Sequence, residues 1–179
     1  QIMTAKHEGP FGTKRLNLLL QALHQKAIGN PLQAVGADDH HRRPTLHPGD
    51  KVIQTRNNYE LDVMNGTVGV VVSTTPLVVN YDGAEVGYPP ANRGEVELAY
   101  VLTPHRMQGS ETPCAVVIVP KAHGFMQHRS WAYTAVTRAK KTCVIIGDAD
   151  GIRQAAERVE VDKRRTLLEV FAANVEGAK

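Results

Sequence analysis

The sequence predicts an α/β domain of three layers with a mainly parallel sheet, interrupted by a small antiparallel β-barrel. One observation is the apolar run Ala115-Val-Val-Ile-Val119, which is typical of a parallel strand buried on both faces. A second is that apolar runs alternate with helical patterns in residues 97–179. A third is a group of short β-rich runs in residues 46–96, separated by strong turn signals.

Length and charge set the broad class of protein. A chain of 179 residues is long enough for one sizeable core, or for one core with a small insertion. The net charge of +3 permits nucleic-acid binding without requiring it. No apolar run approaches the ~20 residues of a membrane span, so we expect a cytoplasmic protein without membrane contact. The start, Gln1-Ile-Met-Thr4, has neither a signal peptide nor an initiator Met, which predicts a fragment of a longer chain.

Cysteine and histidine patterns give no metal site. Cys114 and Cys143 each lie in an apolar strand pattern without CxxC spacing, and we expect buried free thiols in a reducing compartment. The 8 His residues include no His-Glu-x-x-His spacing, and His40-His41 lie in a loop-like run. We therefore predict no metal site.

The first elements are a short strand at residues 1–4 and a helix from about Thr13 to Ala27, which Gly29-Asn-Pro31 ends. Apolar residues recur along this helix at helical spacing, and we expect them to face the core: Leu16, Leu19, Leu20, Leu23 and Ala27. Downstream, a helix opens at Ser130-Trp131, and residues 142–146 are expected to form a buried strand. Further helices are expected around residues 152–159 and 166–173.

The β-rich region is expected to be an insertion at residues 46–96, because α/β patterns lie on both sides, in residues 1–45 and 97–179. Its strand-like runs are residues 51–55, 67–73, 77–81 and 84–88. The turns between them carry strong signals: Asn65-Gly66, Thr75-Pro76 and Asp82-Gly83. We therefore predict a small antiparallel barrel or meander.

Polar residues follow the strand in Ala99-Tyr-Val-Leu-Thr-Pro-His-Arg-Met-Gln-Gly-Ser-Glu111. Thr103-Pro104 is expected to cap and start a short helix that ends near Gly109. The following polar residues would then lie at the carboxyl edge of the sheet, where open α/β folds bind ligands. The alternative is an ordinary loop. A second polar segment, Tyr133-Thr-Ala-Val-Thr-Arg-Ala-Lys-Lys141, precedes the strand at 142–146.

Together, the two segments resemble motifs V and VI of superfamily 1 DNA helicases, and we call residues 103–111 and 133–141 the motif V and motif VI segments. The residues that match the family pattern are Thr103, His105, Gln108, Gly109, Ser110, Glu111, Tyr133, Ala135, Thr137, Arg138 and Ala139. Arg106 stands for the usual Lys, and Met107 for the usual small residue.

Two other stretches resemble RecD-type helicases. Residues 49–69 are similar to the SH3-like insertion of the RecD2-like branch, and Gly9-Pro-Phe-Gly-Thr-Lys14 is similar to the motif IV region, with Glu8 where a basic residue is usual. The resemblance implies the second RecA-like motor domain of a helicase, with an SH3-like insertion. The chain contains no Gly-x-x-x-x-Gly-Lys-Ser/Thr phosphate loop.

The resemblance also implies residue roles. Arg138 is the expected arginine finger, acting on ATP with Mg²⁺ bound mainly by an N-terminal RecA-like domain, with Gln108, Gly109 and Glu111 as further nucleotide contacts. Thr103 and His105 are expected to face DNA. For Tyr133 we predict a ring packed in the core.

A third set of candidates comes from the residue types themselves. Arg56, Asn57, Asn58 and Tyr59 combine a charge, two amides and a ring, which suits phosphate contacts and base stacking on single-stranded DNA. A plain polar loop is the alternative. We call residues 56–59 the 56–59 turn.

The sequence leaves two functions open. One is the motor portion of an ATP-dependent 5′-3′ DNA helicase for repair or recombination, inactive as an ATPase without its N-terminal Walker A domain. The other is a non-catalytic nucleic-acid-binding module with vestigial helicase motifs, or the helicase part of a conjugative relaxase. A phosphate loop upstream of Gln1 in the full chain would favour the first.

Overall fold

The computed structural model describes residues 1–32 and 44–159, which form a four-stranded parallel sheet and a five-stranded antiparallel sheet. The elements in chain order are β1 (Ile2–Met3), α1 (Thr13–Ala27), β2 (Lys51–Gln54), β3 (Val68–Thr74), β4 (Leu77–Tyr81), β5 (Ala84–Tyr88), β6 (Val96–Leu98), β7 (Val101–Leu102), β8 (Thr112–Val119), α2 (Arg129–Val136), β9 (Ala139–Gly147) and α3 (Ala149–Glu157). The helix predicted at 166–173 and the pair His40-His41 lie outside the described residues.

The parallel sheet has the strand order β7-β1-β8-β9, and each neighbouring pair is parallel. Its core lies between one sheet face, with Met3, Leu102 and Val117, and the helices α2 and α3. Trp131 of α2 and Ala155 of α3 are buried there. The prediction of an α/β fold with a parallel sheet is confirmed.

Burial of the last two strands differs from the prediction. On β8, Ala115, Val117 and Val119 are buried, whereas Val116 and Ile118 between them are half-buried. Strand β9 is an edge of the described sheet, and all of its residues after Ala139 are exposed. Cys114 and Cys143 lie in this region and are also exposed, so the prediction of buried thiols was wrong. An apolar run predicts a strand, but its burial depends on which elements pack on it.

Helix α1 has the predicted bounds but buries a different face. Its buried residues are Thr13, Asn17, Leu18, Gln21 and Gln25. Leu19 and Leu23, which we expected in the core, are 50% and 63% exposed. Asn17 explains which face of α1 is buried, because its side chain donates to Val101 O at 2.8 Å and accepts from Val101 N at 2.9 Å. These bonds satisfy backbone groups of the edge strand β7, which would otherwise be buried without a partner.

A buried carboxylate joins α1 to the antiparallel sheet. Asp50 is fully buried and accepts from the side-chain amides of Gln21 and Gln25, from the Tyr100 hydroxyl and from His47 N. The bonds from Gln25 and Tyr100 measure 2.8 and 3.0 Å. A buried charge is tolerated only when hydrogen bonds replace its water, and here both carboxylate oxygens have donors.

The antiparallel sheet has the order β5-β4-β3-β2-β6 and its own apolar core. The four predicted strand runs form β2 to β5, and the Asp82-Gly83 turn has positive φ at both residues, 51° and 98°, as a type I′ hairpin requires. The sheet continues to β6, which pairs with β2 and ends at Leu98, beyond the predicted limit of the insertion at residue 96. Within the described strands, β5 and β6 remain the two edges. Closure into an SH3-like barrel therefore stays a prediction.

None of the helices in the described part of the chain is long and apolar enough to cross a membrane.

Candidate nucleotide and nucleic-acid site

The motif V segment leaves β7 as a series of turns. Successive N–H groups bond three residues back, from Arg106 to Thr103 O at 3.0 Å, from Met107 to Pro104 O at 3.2 Å, and from Gln108 to His105 O at 3.2 Å. No α-helix forms in this described segment, so the predicted short helix was wrong. Only five residues lie between Thr103 and Gly109, whose positive φ of 83° turns the backbone away from the helical direction.

Exposure separates the motif V residues into two groups. His105, Gln108 and Gly109 are exposed, as a ligand contact requires. Met107 is 5% exposed and anchors the turn in the core of the parallel sheet. Thr103 is 6% exposed, so this structure does not present it to solvent as a DNA contact, contrary to the prediction.

Arg138 connects the motif VI segment to the motif V segment. It lies between α2 and β9, and its carbonyl oxygen accepts from Thr112 N at 2.8 Å. Its guanidinium donates through Nη1 to Ser110 O at 3.2 Å and to Met107 O at 3.4 Å, and through Nε to Thr134 O at 3.1 Å. The side chain is half-buried. The structure thus brings together two segments that are about thirty residues apart in sequence.

Two other residues of these segments lie on the surface. Glu111 forms an ion pair with Lys140 at 3.3 Å, and both side chains are more than half exposed, so this pair contributes little to stability. Tyr133 is 71% exposed, so its prediction as a core residue was wrong. Helix α2 buries Trp131 and Ala135, which are four residues apart, and Tyr133 faces away from that side.

The 56–59 turn presents three of its four side chains to solvent. Arg56 and Asn57 are exposed, and Tyr59 is 77% exposed. Asn58 is only 8% exposed, and its amide donates to Glu95 Oε2 at 2.9 Å. Its side chain therefore holds the turn instead of facing DNA, which corrects the prediction for Asn58.

A cavity of about 500 Å³ lies between the motif V segment and the antiparallel sheet. One side is lined by His105, Arg106, Gln108 and Ser110, and the other by residues 53–55 and 65–67. Asn57 Oδ1 accepts from Asn65 N at 2.9 Å, which ties the 56–59 turn to the rim of this cavity. From the sequence, Asn65-Gly66 is predicted only as a turn, because nothing local to that pair indicates what it faces.

Arg138, Gln108 and Gly109 are the described residues that could contact the phosphates of a nucleotide. A guanidinium suits a phosphate because its planar N–H groups form paired bonds to phosphate oxygens, and the neighbouring Gln108 and Gly109 are exposed. Among residues 1–32 and 44–159, no group of three or more His, Cys, Asp or Glu side chains could hold a metal ion.

Sequence comparisons identify relatives of the chain. Residues 98–146 match the model of the UvrD-like helicase C-terminal domain. The chain is 35% identical over 176 residues to the ATP-dependent RecD2 DNA helicase of Deinococcus radiodurans, covering 97% of this chain and 24% of that protein. It is 29% identical over 161 residues to the RecBCD enzyme subunit RecD of Mycolicibacterium smegmatis, covering 90% of this chain and 27% of that protein. The chain thus spans about a quarter of the length of these relatives.

Solved structures show the same fold. Pif1 helicase from Bacteroides, in complex with ADP-AlF3 and ssDNA, has a TM-score of 0.53 at 13% identity, covering 100% of this chain and 46% of that one. Bacteroides Pif1 bound to ssDNA has a TM-score of 0.50 at 20% identity, covering 74% of this chain and 35% of that one. The fold is therefore the mixed α/β fold with a parallel sheet of superfamily 1 helicase RecA-like domains.

Fold and sequence similarity together place the chain with the C-terminal domains of superfamily 1 helicases. More particularly, the chain is homologous to the RecD2 and RecD helicases over most of its length, and its residues 98–146 match the UvrD-like helicase C-terminal domain. The resemblance to superfamily 1 helicases of the RecD type is confirmed.

Proposed function

We propose that this chain is the second RecA-like motor domain of an ATP-dependent helicase that moves 5′ to 3′ on single-stranded DNA and carries an SH3-like insertion, which begins near residue 46 and includes β6. The observation that carries the proposal is the contact of Arg138 with the motif V segment, at 3.2 Å to Ser110 O. These hydrogen bonds join Arg138, which suits a phosphate, to the motif V segment, which suits DNA. Coupling between the nucleotide and DNA needs such a direct connection.

Arg138 is the arginine finger in this proposal, and Gln108, Gly109 and Glu111 lie beside it at the nucleotide. The phosphate loop of an N-terminal RecA-like domain would hold most of the nucleotide, and Mg²⁺ bound with it would neutralise phosphate charge. In this structure, Nη1 of the guanidinium donates to two neutral carbonyl oxygens of the motif V segment, Met107 O and Ser110 O. A phosphate oxygen carries charge and is a stronger acceptor, so a bound nucleotide draws the guanidinium away from them. The 179-residue chain alone lacks the phosphate loop and is inactive as an ATPase.

Single-stranded DNA lies, in this proposal, along the cavity between the motif V segment and the insertion. His105 lines one wall, and the 56–59 turn is tied to the opposite rim through Asn57. Arg56 contacts a phosphate and Tyr59 stacks on a base. The names of the relatives support DNA as the ligand, since one is called a DNA helicase and the Pif1 structures contain ssDNA.

Unwinding assays on tailed duplexes test the function. The full-length protein, given ATP and Mg²⁺, is expected to unwind a duplex that carries a 5′ single-stranded tail and to leave its 3′-tailed counterpart intact. Single-stranded DNA should stimulate ATP hydrolysis. Unwinding from the 3′ tail alone would contradict the polarity. Tight DNA binding without ATP hydrolysis would instead support the non-catalytic binding module.

Substitutions in the 56–59 turn are expected to weaken DNA binding in two different ways. Arg56→Ala should lower affinity for all sequences alike and reduce the salt dependence of log K by about 0.7, the value for one phosphate contact on a single strand. Tyr59→Ala should cost about 1–3 kcal/mol with little change in that salt dependence, because stacking involves no charge. The measurement is equilibrium binding of a fluorescent oligonucleotide across a salt series.

The exposed Glu85 on β5 offers a control for these variants, because Glu85→Ala changes an insertion residue outside the 56–59 turn. Unchanged affinity and salt dependence in both the Arg56 and the Tyr59 variant, in folded protein, would leave the insertion with a structural role only.

A further inference from the structure

The carboxylate of Glu95 gathers three side-chain amides. Its Oε2 accepts from Gln54 Nε2 at 3.0 Å and from Asn58 Nδ2 at 2.9 Å, and its Oε1 accepts from Asn92 Nδ2 at 2.9 Å. Hydrogen bonds from Asn58 and Asn92 lower the pKa of the Glu95 carboxyl below its usual value. Charged acceptors form the stronger hydrogen bonds, so this carboxylate is an effective anchor.

Glu95 holds the 56–59 turn at two points. Its carbonyl oxygen accepts from Thr55 N at 2.8 Å and from Thr55 Oγ1 at 2.9 Å, which fixes the residue just before the turn. Its carboxylate fixes Asn58 inside the turn, and the Asn58 side-chain oxygen in turn accepts from Leu61 N at 3.1 Å. With Asn58 drawn inward, the neighbouring Tyr59 is left 77% exposed.

Hydrogen bonds connect this anchor to the core of the antiparallel sheet. Gln54 is fully buried, and its side-chain oxygen accepts from the Tyr88 hydroxyl at 2.9 Å. The Tyr88 and Tyr81 hydroxyls are 2.7 Å apart. A hydrogen-bonded chain therefore runs from the sheet core through Gln54 and Glu95 to the 56–59 turn.

We propose that Glu95 is a positioning residue for single-stranded DNA: it holds the 56–59 turn in the conformation that presents Arg56 and Tyr59 to the strand. This inference rests on the proposed function of that turn. A turn that is ordered before binding loses less conformational freedom when DNA binds, so the contact is stronger. Glu95 makes no contact with DNA in this account.

Electrostatics and loss of positioning predict opposite effects of Glu95→Gln on DNA affinity. Replacing Glu95 by Gln removes a negative charge near Arg56, which by electrostatics alone favours a polyanionic ligand. Loss of positioning weakens binding, because one amide oxygen cannot replace a carboxylate that accepts from both of its oxygens. The exposed Glu60 lies next to Tyr59, so Glu60→Gln makes the same change in charge at the surface of the same region.

The experiment measures oligonucleotide affinity for Glu95→Gln, Glu60→Gln and Tyr59→Ala in the full-length protein, with thermal melting to confirm folding. We expect Glu95→Gln to weaken binding roughly three- to tenfold, which is part of the about 5- to 150-fold cost of a lost stacking contact. Glu60→Gln should leave affinity unchanged or slightly raised. If Glu95→Gln behaves as Glu60→Gln does, the positioning role is overturned.

Two further variants complete the test. Glu95→Asp retains the charge but withdraws the carboxylate by one methylene, and it replaces Glu95→Gln if that variant does not fold; it should also weaken binding. In a Tyr59→Ala background, Glu95→Gln should weaken binding less than it does in the wild type, because part of its action passes through Tyr59. A general loss of structure would instead weaken binding by the same factor in both backgrounds. An effect of Tyr59→Ala without any effect at Glu95 overturns this inference alone. No effect of either Tyr59→Ala or Arg56→Ala overturns the DNA-binding role of the turn itself.

Discussion

Replacing Arg138 by Lys in the full-length protein is expected to reduce DNA-stimulated ATP hydrolysis by roughly 10³-fold or more, the scale of an arginine finger. Nucleotide binding should stay nearly intact, because the phosphate loop of the N-terminal domain supplies most of it. Lys keeps the positive charge, but it lacks the planar set of N–H groups that contacts several oxygens at once. Arg138 uses that set in this structure, where Nε and Nη1 together reach three carbonyl oxygens.

The measurement is steady-state turnover at saturating ATP and DNA, with nucleotide affinity measured separately by a fluorescent analogue. Arg153 provides the control, since it is an exposed arginine on α3 paired with Asp150, and Arg153→Lys should leave turnover unchanged. A loss of less than about tenfold in the Arg138 variant would remove this residue from the catalytic role. Loss of nucleotide binding to the same extent as turnover would point to a binding role instead.

Local patterns predicted much of the fold. The bounds of α1 and the four strands β2 to β5 follow from signals within each segment: helical spacing ended by Gly29, and β-rich runs between turn pairs such as Asp82-Gly83. The burial of these elements did not follow in the same way. Asn17 decides the buried face of α1 through Val101, 84 residues away, and no periodicity within the helix contains that information.

In the candidate site, too, local motifs predicted some residues, whereas contacts between distant residues were not predicted. The motif V and motif VI segments identified Arg138 and its neighbours from sequence, and the family they indicated is confirmed. Asn58 was assigned to DNA because its residue type and its neighbours suit that role. Its actual partner is Glu95, 37 residues away, and a polar loop in the sequence does not reveal which of its side chains turn inward. Glu95 was not among the predicted site residues for the same reason.

Removing the carboxylate of Asp50 is expected to lower the free energy of unfolding by about 3–5 kcal/mol in Asp50→Ala. The substitution leaves the amides of Gln21 and Gln25 buried without this acceptor, together with the Tyr100 hydroxyl, and each unsatisfied buried donor costs about 1–3 kcal/mol. The amides retain bonds to Thr45 O and Pro48 O, which limits the total.

Urea unfolding of the 179-residue chain, followed by circular dichroism and by fluorescence of its only tryptophan, the buried Trp131, measures this cost. The exposed Glu85 on β5 supplies the comparison, because Glu85→Ala removes a carboxylate that lies at the surface and should change stability by less than about 0.5 kcal/mol. Since Asp50 joins α1 to the antiparallel sheet, the variant should also lose cooperativity between the two probes, with Trp131 in the parallel-sheet core unfolding separately from the insertion. A loss of under about 1 kcal/mol with coincident transitions would show that water replaces the carboxylate and that the junction does not depend on Asp50.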